Sequence, residues 1–367
     1  MSTADTDPSL RKLLLVSNQV MHYRVPVYNY FYNRFRHLGY EFCVLTNSFQ
    51  RDNAQTIEFP YRELPMRFRT YRDAITSWRP AAVIVFLHLK DLIIWPLVHW
   101  LKLRGIPFAF WTKGGNWDDK GSHLRYCLFN YIHAVSDALI LYSASCKDLV
   151  HPRFHAKAFV ANNTLNFEAF PQISETKQEI KRQLGIPFEK VVLFIGNMAA
   201  EGGRKKVGHL IDIFRNVDRQ DVGLVLVGSG LSVQSQARLN RKNTLYFGQV
   251  QDSENRQISR LCRMADLCAI PGHVGLGLNQ ALFWGLPVIA EEGRHPPEIA
   301  YLKPGRNGFI VPSGDLAAFA DRMLYVLDND DVRAELSQNA AADIRKDASP
   351  EMMFEGFRKC VERLTGD

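Results

Sequence analysis

Two successive series of apolar runs constrain the fold of this chain more than any other feature. Each run is continuous and rich in β-branched and aromatic residues, which indicates a strand buried on both faces of a parallel sheet. Amphipathic helical stretches separate the runs, so the fold class is α/β, with two Rossmann-like doubly wound domains. The runs lie at 12–18, 40–47, 81–88, 107–115 and 137–145 in the first half, and at 190–197, 222–230, 243–250, 265–272, 286–292 and 307–315 in the second.

A length of 367 residues suits two such domains. The apolar rhythm breaks near 164–178, so we expect an N-terminal domain over residues 1–170 and a C-terminal domain over 171–347. The last segment, 348–367, has a helical pattern and is expected to pack back toward the N-terminal domain. Because ligands of open α/β sheets bind beyond the carboxyl ends of the strands, we expect the two sheets to face each other across a binding cleft.

Composition points to a cytoplasmic protein. No unbroken apolar run approaches the roughly 20 residues of a membrane-spanning helix. The N-terminal sequence lacks a signal-peptide pattern, and the six cysteines give neither a disulfide framework nor a CxxC metal pair. No D-x-D motif follows a strand, so no metal site is expected.

The net charge of +7 is concentrated in the first half. Residues 1–165 contain 20 Lys and Arg against 12 Asp and Glu, whereas residues 166–367 contain 25 against 26. This asymmetry favours an anionic partner. Basic aromatic stretches at 31–40, 61–79 and 92–104 could lie on an anionic membrane surface, with the protein peripheral at the cytoplasmic face. Equally, their apolar faces could be core and their arginines solvated. Nucleic acid is disfavoured, because these residues follow core patterns and no reader motif.

Two loops that follow strands in the second half could bind phosphate. In the first, Gly272, Gly275 and Gly277 cluster before a helix expected to begin near Leu278. Backbone N–H groups from Gly275 through Leu276 to Gly277 could meet a diphosphate at the helix N-terminus. Glycines at such a turn could instead serve packing alone.

The second loop is basic. Arg204, Lys205 and Lys206 lie between the run at 190–197 and the next helix, where three cations together could neutralise a leaving diphosphate. The alternative is a solvated basic turn.

Several further motifs follow one another along the chain. They are an HYR-P-Y motif after the first strand, the helix KKVGHLIDIF at 205–214, GLPVI at 285–289, the Pro297-Glu298 pair and NGFIVPSGD at 307–315. With these motifs, the segment 265–315 resembles the donor-binding half of retaining GT-B glycosyltransferases, specifically glycosyltransferase family four. The resemblance implies a GT-B fold and transfer of a sugar from a UDP- or GDP-sugar, with retained configuration. The implied acceptor is a hydroxyl of a glycan or of a polyprenyl-diphosphate-linked molecule, and no cofactor is implied.

The resemblance also implies roles for residues of the second domain. Lys205 corresponds to the phosphate-binding lysine of the family, and Gly248 and Val250 lie in the loop that holds the nucleotide base. Asn197 stands where an arginine is usual, so Arg204 is expected to supply the missing charge.

The paired glutamates of the family are replaced here by Gly272 and Gln280. Gln280 can still hydrogen-bond ribose hydroxyls through its amide. His273 or backbone amides are expected to make the sugar contact that Gly272 cannot make.

The first domain is expected to hold the acceptor. His22 and Arg24 follow the first strand, and Lys113 and Asn116 follow a later one. His22 could instead cap or pack a turn, and Arg24 could solvate it.

Two other functions stay open. A nucleotide-sugar-binding or partner-activating protein that lost transfer is favoured by the missing glutamates and opposed by the basic loop and the glycine cluster. A sugar-nucleotide epimerase would need an acid–base pair facing the donor ring, and the sequence offers no convincing pair.

Overall fold

The computed structural model describes residues 7, 9–50, 55–115, 123–198, 203–250 and 255–367. The chain divides into two compact units, Met1–Asn166 with Ser349–Asp367, and Phe167–Ala348. The boundary between the units therefore lies a few residues before the position expected from the sequence.

The first unit is built on a parallel sheet, with the strand order β3-β2-β1-β4-β5-β6-β7. Leu13–Val16 of β1 are fully buried, as expected for a strand covered on both faces. The strands are β1 (Arg11–Val20), β2 (Tyr40–Phe49), β3 (Tyr61–Glu63), β4 (Ala82–Phe86), β5 (Phe108–Thr112), β6 (Ala138–Leu141) and β7 (Ala158–Val160); the helices that precede the second unit are α1 (Val25–Arg36), α2 (Phe68–Trp78), α3 (Ile94–Leu103) and α4 (His123–Val135).

The second unit is built on another parallel sheet, in the order β10-β9-β8-β11-β12-β13. Its strands are β8 (Lys190–Ile195), β9 (Val222–Val227), β10 (Thr244–Gly248), β11 (Leu267–Ile270), β12 (Val288–Glu291) and β13 (Gly308–Val311). Its helices are α5 (Lys177–Leu184), α6 (Val207–Asn216), α7 (Val233–Ala237), α8 (Arg256–Met264), α9 (Leu276–Phe283), α10 (Leu316–Asp328) and α11 (Asp330–Asp347).

Both sheets contain the Rossmann order 3-2-1-4-5-6, so the prediction of two doubly wound units is confirmed. The order reverses between the first and fourth strands, and ligands of such sheets bind beyond the carboxyl ends of those two strands. In the second unit they are β8 and β11. The loops that follow them are the basic loop and the glycine cluster.

The last helix, α12 (Pro350–Thr365), packs in the first unit although it follows the second along the chain. Phe357 is fully buried, with ring centroids 4.6 Å from Phe31 and 5.0 Å from Trp111. Phe354 adds contacts with Phe31 and Phe35. The aromatic core of the first unit is therefore completed by residues from the far end of the chain.

Two strands of the first unit were not expected from the sequence. Strands β3 and β7 have three residues each, too few to produce a periodic signal. The segment 92–104 contains α3, with Pro96 in the first turn, where proline is tolerated. Within the described ranges, no helix is long and apolar enough to span a bilayer.

Candidate functional site

The candidate site lies in the second unit, where the loops after β8 and β11 are hydrogen-bonded to each other. The Gly272 N–H donates to the Lys205 carbonyl at 3.1 Å, and the His273 N–H donates to the Arg204 carbonyl at 2.7 Å. The two loops predicted from the sequence are thus one structural element.

Gly272 has no room for a side chain. A Cβ atom built on it would lie 2.1 Å from the Arg204 carbonyl oxygen, closer than any real contact. The local packing therefore requires glycine at position 272 and excludes the glutamate that is usual in the family. The same contacts correct one expectation, because the amides of Gly272 and His273 bond the basic loop and do not replace a sugar-contacting side chain. The half-buried His273 ring remains at the edge of the site.

Lys205 is the central cation of this element. Its Nζ atom donates to the Val274 carbonyl at 2.7 Å and lies 3.7 Å from the place a Cβ would take on Gly275. Burial lowers the pKa of Lys205 to about 8, against the weaker opposite influence of Cys268 and Glu298. Lys205 is therefore a desolvated ammonium, and no carboxylate of the described residues is bonded to it. An incoming anion would stabilise this charge.

Gly275 caps helix α9, which begins at Leu276, two residues earlier than expected. Its φ of 57° and ψ of −159° lie in a region that is essentially restricted to glycine. Leu276 and Gly277 occupy the first turn of the helix, where backbone N–H groups lack intrahelical acceptors and the helix dipole is positive. The Lys205 ammonium thus lies beside a helix N-terminus, an arrangement suited to a diphosphate.

The three cations of the basic loop do not act together as expected. Lys206 donates to Glu291 Oε2 at 2.8 Å and to Ser313 Oγ at 2.9 Å, so its charge is already paired. Arg204 is exposed at the start of the turn. Lys205 and Arg204 therefore remain as candidates for the leaving phosphate, whereas Lys206 is withdrawn from that role.

The other donor-site candidates lie at the carboxyl edge of the same sheet or on α9. Asn197 is exposed just after β8, and Gly248 ends β10 with a φ of 67°. Half-buried Val250 follows in the same loop. Gln280 is half-buried in the second turn of α9. These positions place them along the ligand edge predicted by the topology.

The acceptor candidates all belong to the first unit. His22 is exposed, with its ring edge against Tyr23. Arg24 is instead 5% exposed and donates to Asn163 Oδ1 at 2.7 Å, so it does not solvate its turn. Half-buried Lys113 follows β5, with Nζ 5.8 Å from the Tyr142 ring centroid. Asn116 lies outside the described residues.

Sequence reasoning missed Glu291 and His209. The Glu291 carboxylate is completely buried at the end of β12 and is paired with both Lys206 and the His209 ring. A glutamate at the end of an apolar strand, beside the exposed Glu292, gave no distinctive signal.

Among the described residues, no group of three or more His, Cys, Asp or Glu is arranged to hold a metal ion.

Comparisons with known proteins give a family match inside the second unit. Residues 189–329 match the family model described as "Glycosyl transferases group 1". Over 165 residues the chain is 32% identical to the phosphatidyl-myo-inositol mannosyltransferase of Mycobacterium leprae (strain TN), covering 43% of this chain and 42% of that relative. It is 27% identical over 189 residues to the D-inositol 3-phosphate glycosyltransferase of Corynebacterium efficiens, covering 48% and 43%. The matched region therefore spans less than half the length of these curated relatives.

Solved structures align with almost the whole chain. The sucrose-phosphate synthase of Thermosynechococcus elongatus superposes with a TM-score of 0.74 at 16% identity, over 97% of this chain and 99% of that one. The Anabaena protein HepE, solved in complex with UDP, superposes with a TM-score of 0.76 at 14% identity, over 97% and 100%. The chain has the GT-B fold. This GT-B protein resembles glycosyltransferase family four, as its motifs predicted, and the family match covers the unit that holds Lys205 and the glycine cluster.

Proposed function

We propose that this GT-B protein is a glycosyltransferase that moves a sugar from a nucleoside diphosphate sugar, with UDP or GDP as the nucleotide, to an acceptor hydroxyl. The observation that carries the proposal is the half-buried Lys205 ammonium, which lies beside the N-terminus of α9 and is bonded to Val274. A cation and a helix dipole at the switch point of a Rossmann sheet form a site for a diphosphate leaving group. The match of residues 189–329 to group 1 glycosyl transferases supports the same reading.

In the proposed mechanism the anomeric configuration is retained and no metal takes part. The positions of the paired family glutamates hold Gly272 and Gln280, neither of which can act as a carboxylate nucleophile. The acceptor would therefore attack on the face from which the diphosphate departs, and the departing phosphate would take the hydroxyl proton. Lys205 and Arg204 would stabilise the charge that develops on that phosphate.

The remaining donor contacts follow the family resemblance. The Gln280 amide would hold the ribose, Gly248 and Val250 would line the base pocket, and Asn197 and His273 would lie at the diphosphate and sugar. HepE and its complexes with UDP and UDP-glucose favour UDP as the first nucleotide to test.

The acceptor would be a glycan or a polyprenyl-diphosphate-linked molecule, bound by His22, Lys113 and Asn116 of the first unit. Arg24 would order this surface through its bond to Asn163. One curated relative is named for phosphatidyl-myo-inositol, which is itself a lipid, and this favours a lipid-linked acceptor.

A second candidate function is a binding or partner-activating protein that no longer transfers sugar. The exclusion of any side chain at Gly272 favours it, because the carboxylate usual in the family cannot return without moving the basic loop. Both functions require that the protein bind the nucleotide. Only the transferase would also transfer the sugar.

The deciding experiment measures both properties on one preparation. UDP, GDP and their sugars are screened by thermal shift, where a ligand at 100 times its Kd adds about 2.7 kcal/mol of stability. Transfer from the stabilising donor to polyprenyl-diphosphate-linked and free glycan acceptors is then followed with labelled sugar. Binding with transfer supports the transferase. Binding without transfer or donor hydrolysis supports the second candidate, and no binding contradicts both.

We further propose that the first unit rests on an anionic membrane surface through the segment 92–104. Leu92, two residues before α3, is 80% exposed, and Leu103, the last residue of α3, is 86% exposed. Leu124 of the neighbouring α4 is 70% exposed. Lys90 and Arg104 are exposed beside them in the sequence. Exposed aliphatic side chains flanked by cations suit an interfacial helix over anionic headgroups.

The other two basic stretches are poorer candidates. In 31–40, Phe31 and Phe35 are fully buried, and Arg34 is paired with Glu351 of α12. In 61–79, Tyr71 and Ile75 of α2 are likewise core residues. The alternative raised for these stretches, that their apolar faces belong to the core, therefore describes them better.

The membrane proposal is tested with a Leu92→Glu/Leu103→Glu double variant and vesicles of neutral or anionic lipid. Wild-type protein should sediment with anionic vesicles, less so as salt rises, and the double variant should stay in solution. Val233→Glu is the matched control, since Val233 is 78% exposed in the second unit. Equal sedimentation of wild type and the double variant would remove this surface from consideration.

A further inference from the structure

A buried polar network outside the proposed diphosphate contacts centres on Glu291. Its side chain has no exposed surface, yet it accepts hydrogen bonds from Lys206 Nζ at 2.8 Å, from the Gly314 N–H at 2.9 Å and from the His209 ring. Burial alone would raise the pKa of Glu291, but the bonds from Lys206, His209 and Gly314 hold it below its ordinary value. Glu291 is therefore a charged, satisfied carboxylate that joins the loops after β8, β12 and β13.

Lys206 has an unusual backbone conformation at this junction. Its φ of 50° and ψ of 37° are left-handed, a region that disfavours side chains and that glycine adopts freely. Such conformations persist where surrounding contacts fix them. Here the Lys206 N–H donates to the Gly203 carbonyl at 2.9 Å, and the Lys206 carbonyl accepts the His209 N–H at 3.0 Å. The side chain adds two further contacts, because Glu291 and Ser313 together hold the ammonium.

The conformation of Lys206 determines where the preceding residue lies. The carbonyl groups of Lys205 and Arg204 accept the amides of Gly272 and His273, and the Lys205 side chain then reaches Val274. A change of the backbone at Lys206 would rotate the peptide that follows Lys205 and loosen these contacts. Glu291 thus acts on Lys205 through one intervening residue.

We propose that Glu291 is a positioning residue of the donor site, which holds Lys206 in the left-handed conformation and thereby keeps Lys205 beside the N-terminus of α9. The expected effect on sugar transfer rests on the proposed function. The expected effect on the position of Lys205 does not. The two parts can therefore be measured separately.

The structural part is tested by the titration of the Lys205 amine, followed by competition labelling with acetic anhydride and peptide mass spectrometry. In wild-type protein the labelling pKa should be about 8. In Glu291→Gln it should move toward the ordinary value of 10.5, because a loosened loop exposes the ammonium to water. An unchanged Lys205 labelling pKa in folded Glu291→Gln would overturn the inference, whatever Lys205 contributes to transfer.

The matched control is Asp266→Asn. Asp266 is also a buried carboxylate of this sheet, paired with Lys177 and accepting the Val191 N–H at 2.7 Å, but it precedes β11 at the opposite edge. This variant should lose stability and leave the Lys205 labelling pKa unchanged. An equal shift in both variants would mean that general loosening of the unit, and not positioning by Glu291, moves Lys205.

Two substitutions at Lys206 keep the inference testable if Glu291→Gln does not fold. Lys206→Gly removes the ion pair but adopts the left-handed conformation freely, whereas Lys206→Ala removes the pair and keeps the backbone penalty. Turnover with the identified donor should be higher in Lys206→Gly than in Lys206→Ala by about fivefold.

Glu291→Gln should lower kcat by up to about 10²-fold, and adding Lys206→Gly should recover most of that loss. Equal turnover of the two Lys206 variants would contradict the inference. Full turnover in Lys205→Ala would contradict the role of Lys205 in transfer and leave the labelling result standing.

Discussion

The Lys205 ammonium donates a 2.7 Å hydrogen bond to the carbonyl oxygen of Val274, the residue directly before the glycine that caps α9. The bond holds a cation at the N-terminus of a helix, and within the described ranges no carboxylate is bonded to this cation. In the free protein this arrangement is electrostatically unfavourable, because burial opposes the charge. A bound anion would stabilise the Lys205 charge and offset the cost of its burial. The proposed diphosphate ligand is such an anion.

Replacing Lys205 should therefore separate activity from stability. We expect Lys205→Ala to lower turnover by about 10²–10³-fold, the scale for one preorganised charge-stabilising donor. Lys205→Met should raise the Tm of the free protein at neutral pH, because it removes a charge that burial disfavours. Lys181→Met is the matched control, since Lys181 likewise donates to a backbone carbonyl, that of Glu189 at 2.6 Å, and burial lowers its pKa to about 8. It should keep full turnover. Turnover of Lys205→Ala within about threefold of wild type would contradict the assignment.

UDP affinity should depend on pH through Lys205. Burial lowers its pKa from 10.5 to about 8, so the ammonium is present below pH 8 and is lost in the free protein as the pH rises. Since a bound diphosphate favours the charged form, Kd should increase from pH 7.5 to 9.5. Isothermal titration calorimetry of wild type and Lys205→Met measures this dependence. The same slope in both proteins would show that another group is responsible.

Gly272→Ala should disrupt the joined loops. The new Cβ would lie 2.1 Å from the Arg204 carbonyl, so the basic loop must move, at a cost of about 1–3 kcal/mol for an overpacked site. UDP affinity should fall together with stability. Gly208→Ala is the control, because a Cβ there meets nothing within 4 Å in helix α6, and alanine is the better helix former. Calorimetry and chemical denaturation of both variants test this, and equal stabilities would contradict the geometry of the junction.

Acid should destabilise the first unit through His133. This residue is fully buried among Phe110, Phe129 and Phe154, and neither ring nitrogen has a partner within the described part of the chain. Burial, with a contribution from Lys157, lowers its pKa from 6.5 to about 4. Between these values the unfolded chain binds the proton and the folded chain does not, so stability is full above pH 6.5 and falls toward pH 4.

The loss through His133 amounts to roughly 3 kcal/mol at its limit, from about 1.4 kcal/mol for each pKa unit. His133→Phe should remove this part of the pH dependence and match wild type near pH 8. Urea denaturation at pH 5 and pH 8 measures it. A variant that loses as much stability at pH 5 as wild type would show that His133 is not the group responsible.

The fold could be predicted from the sequence because both sheets are parallel and covered on both faces. Their strands, such as Leu13–Val16, are continuous apolar runs that stand out from the intervening helices. Strands β3 and β7 could not be found in this way, because three residues carry no period. The start of α9 at Leu276 was misplaced by two residues, since the conformation of Gly275 is not encoded in a hydrophobic pattern.

The candidate site could be predicted only as far as its two loops. That Lys205 and the glycine cluster lie near each other follows from the strand order, but the pairing of Lys206 with Glu291 joins residues 85 positions apart. Likewise, the amides of Gly272 and His273 looked available in the sequence and are engaged by the basic loop. Tertiary hydrogen bonds of this kind leave no periodic trace in a single sequence. The roles given to Gln280, Asn197, Gly248 and Val250 stay predictions.

The course of the chain through the two units has a consequence for its synthesis. Helix α12 supplies Phe354 and Phe357 to the core of the first unit, and the ribosome makes this helix only after all of Phe167–Ala348. The second unit is contiguous and can close as soon as it leaves the exit tunnel. The first unit is made earlier but stays incomplete until α12 has left the exit tunnel. Until then, nascent chains would expose Phe31, Phe35 and Trp111 to chaperones.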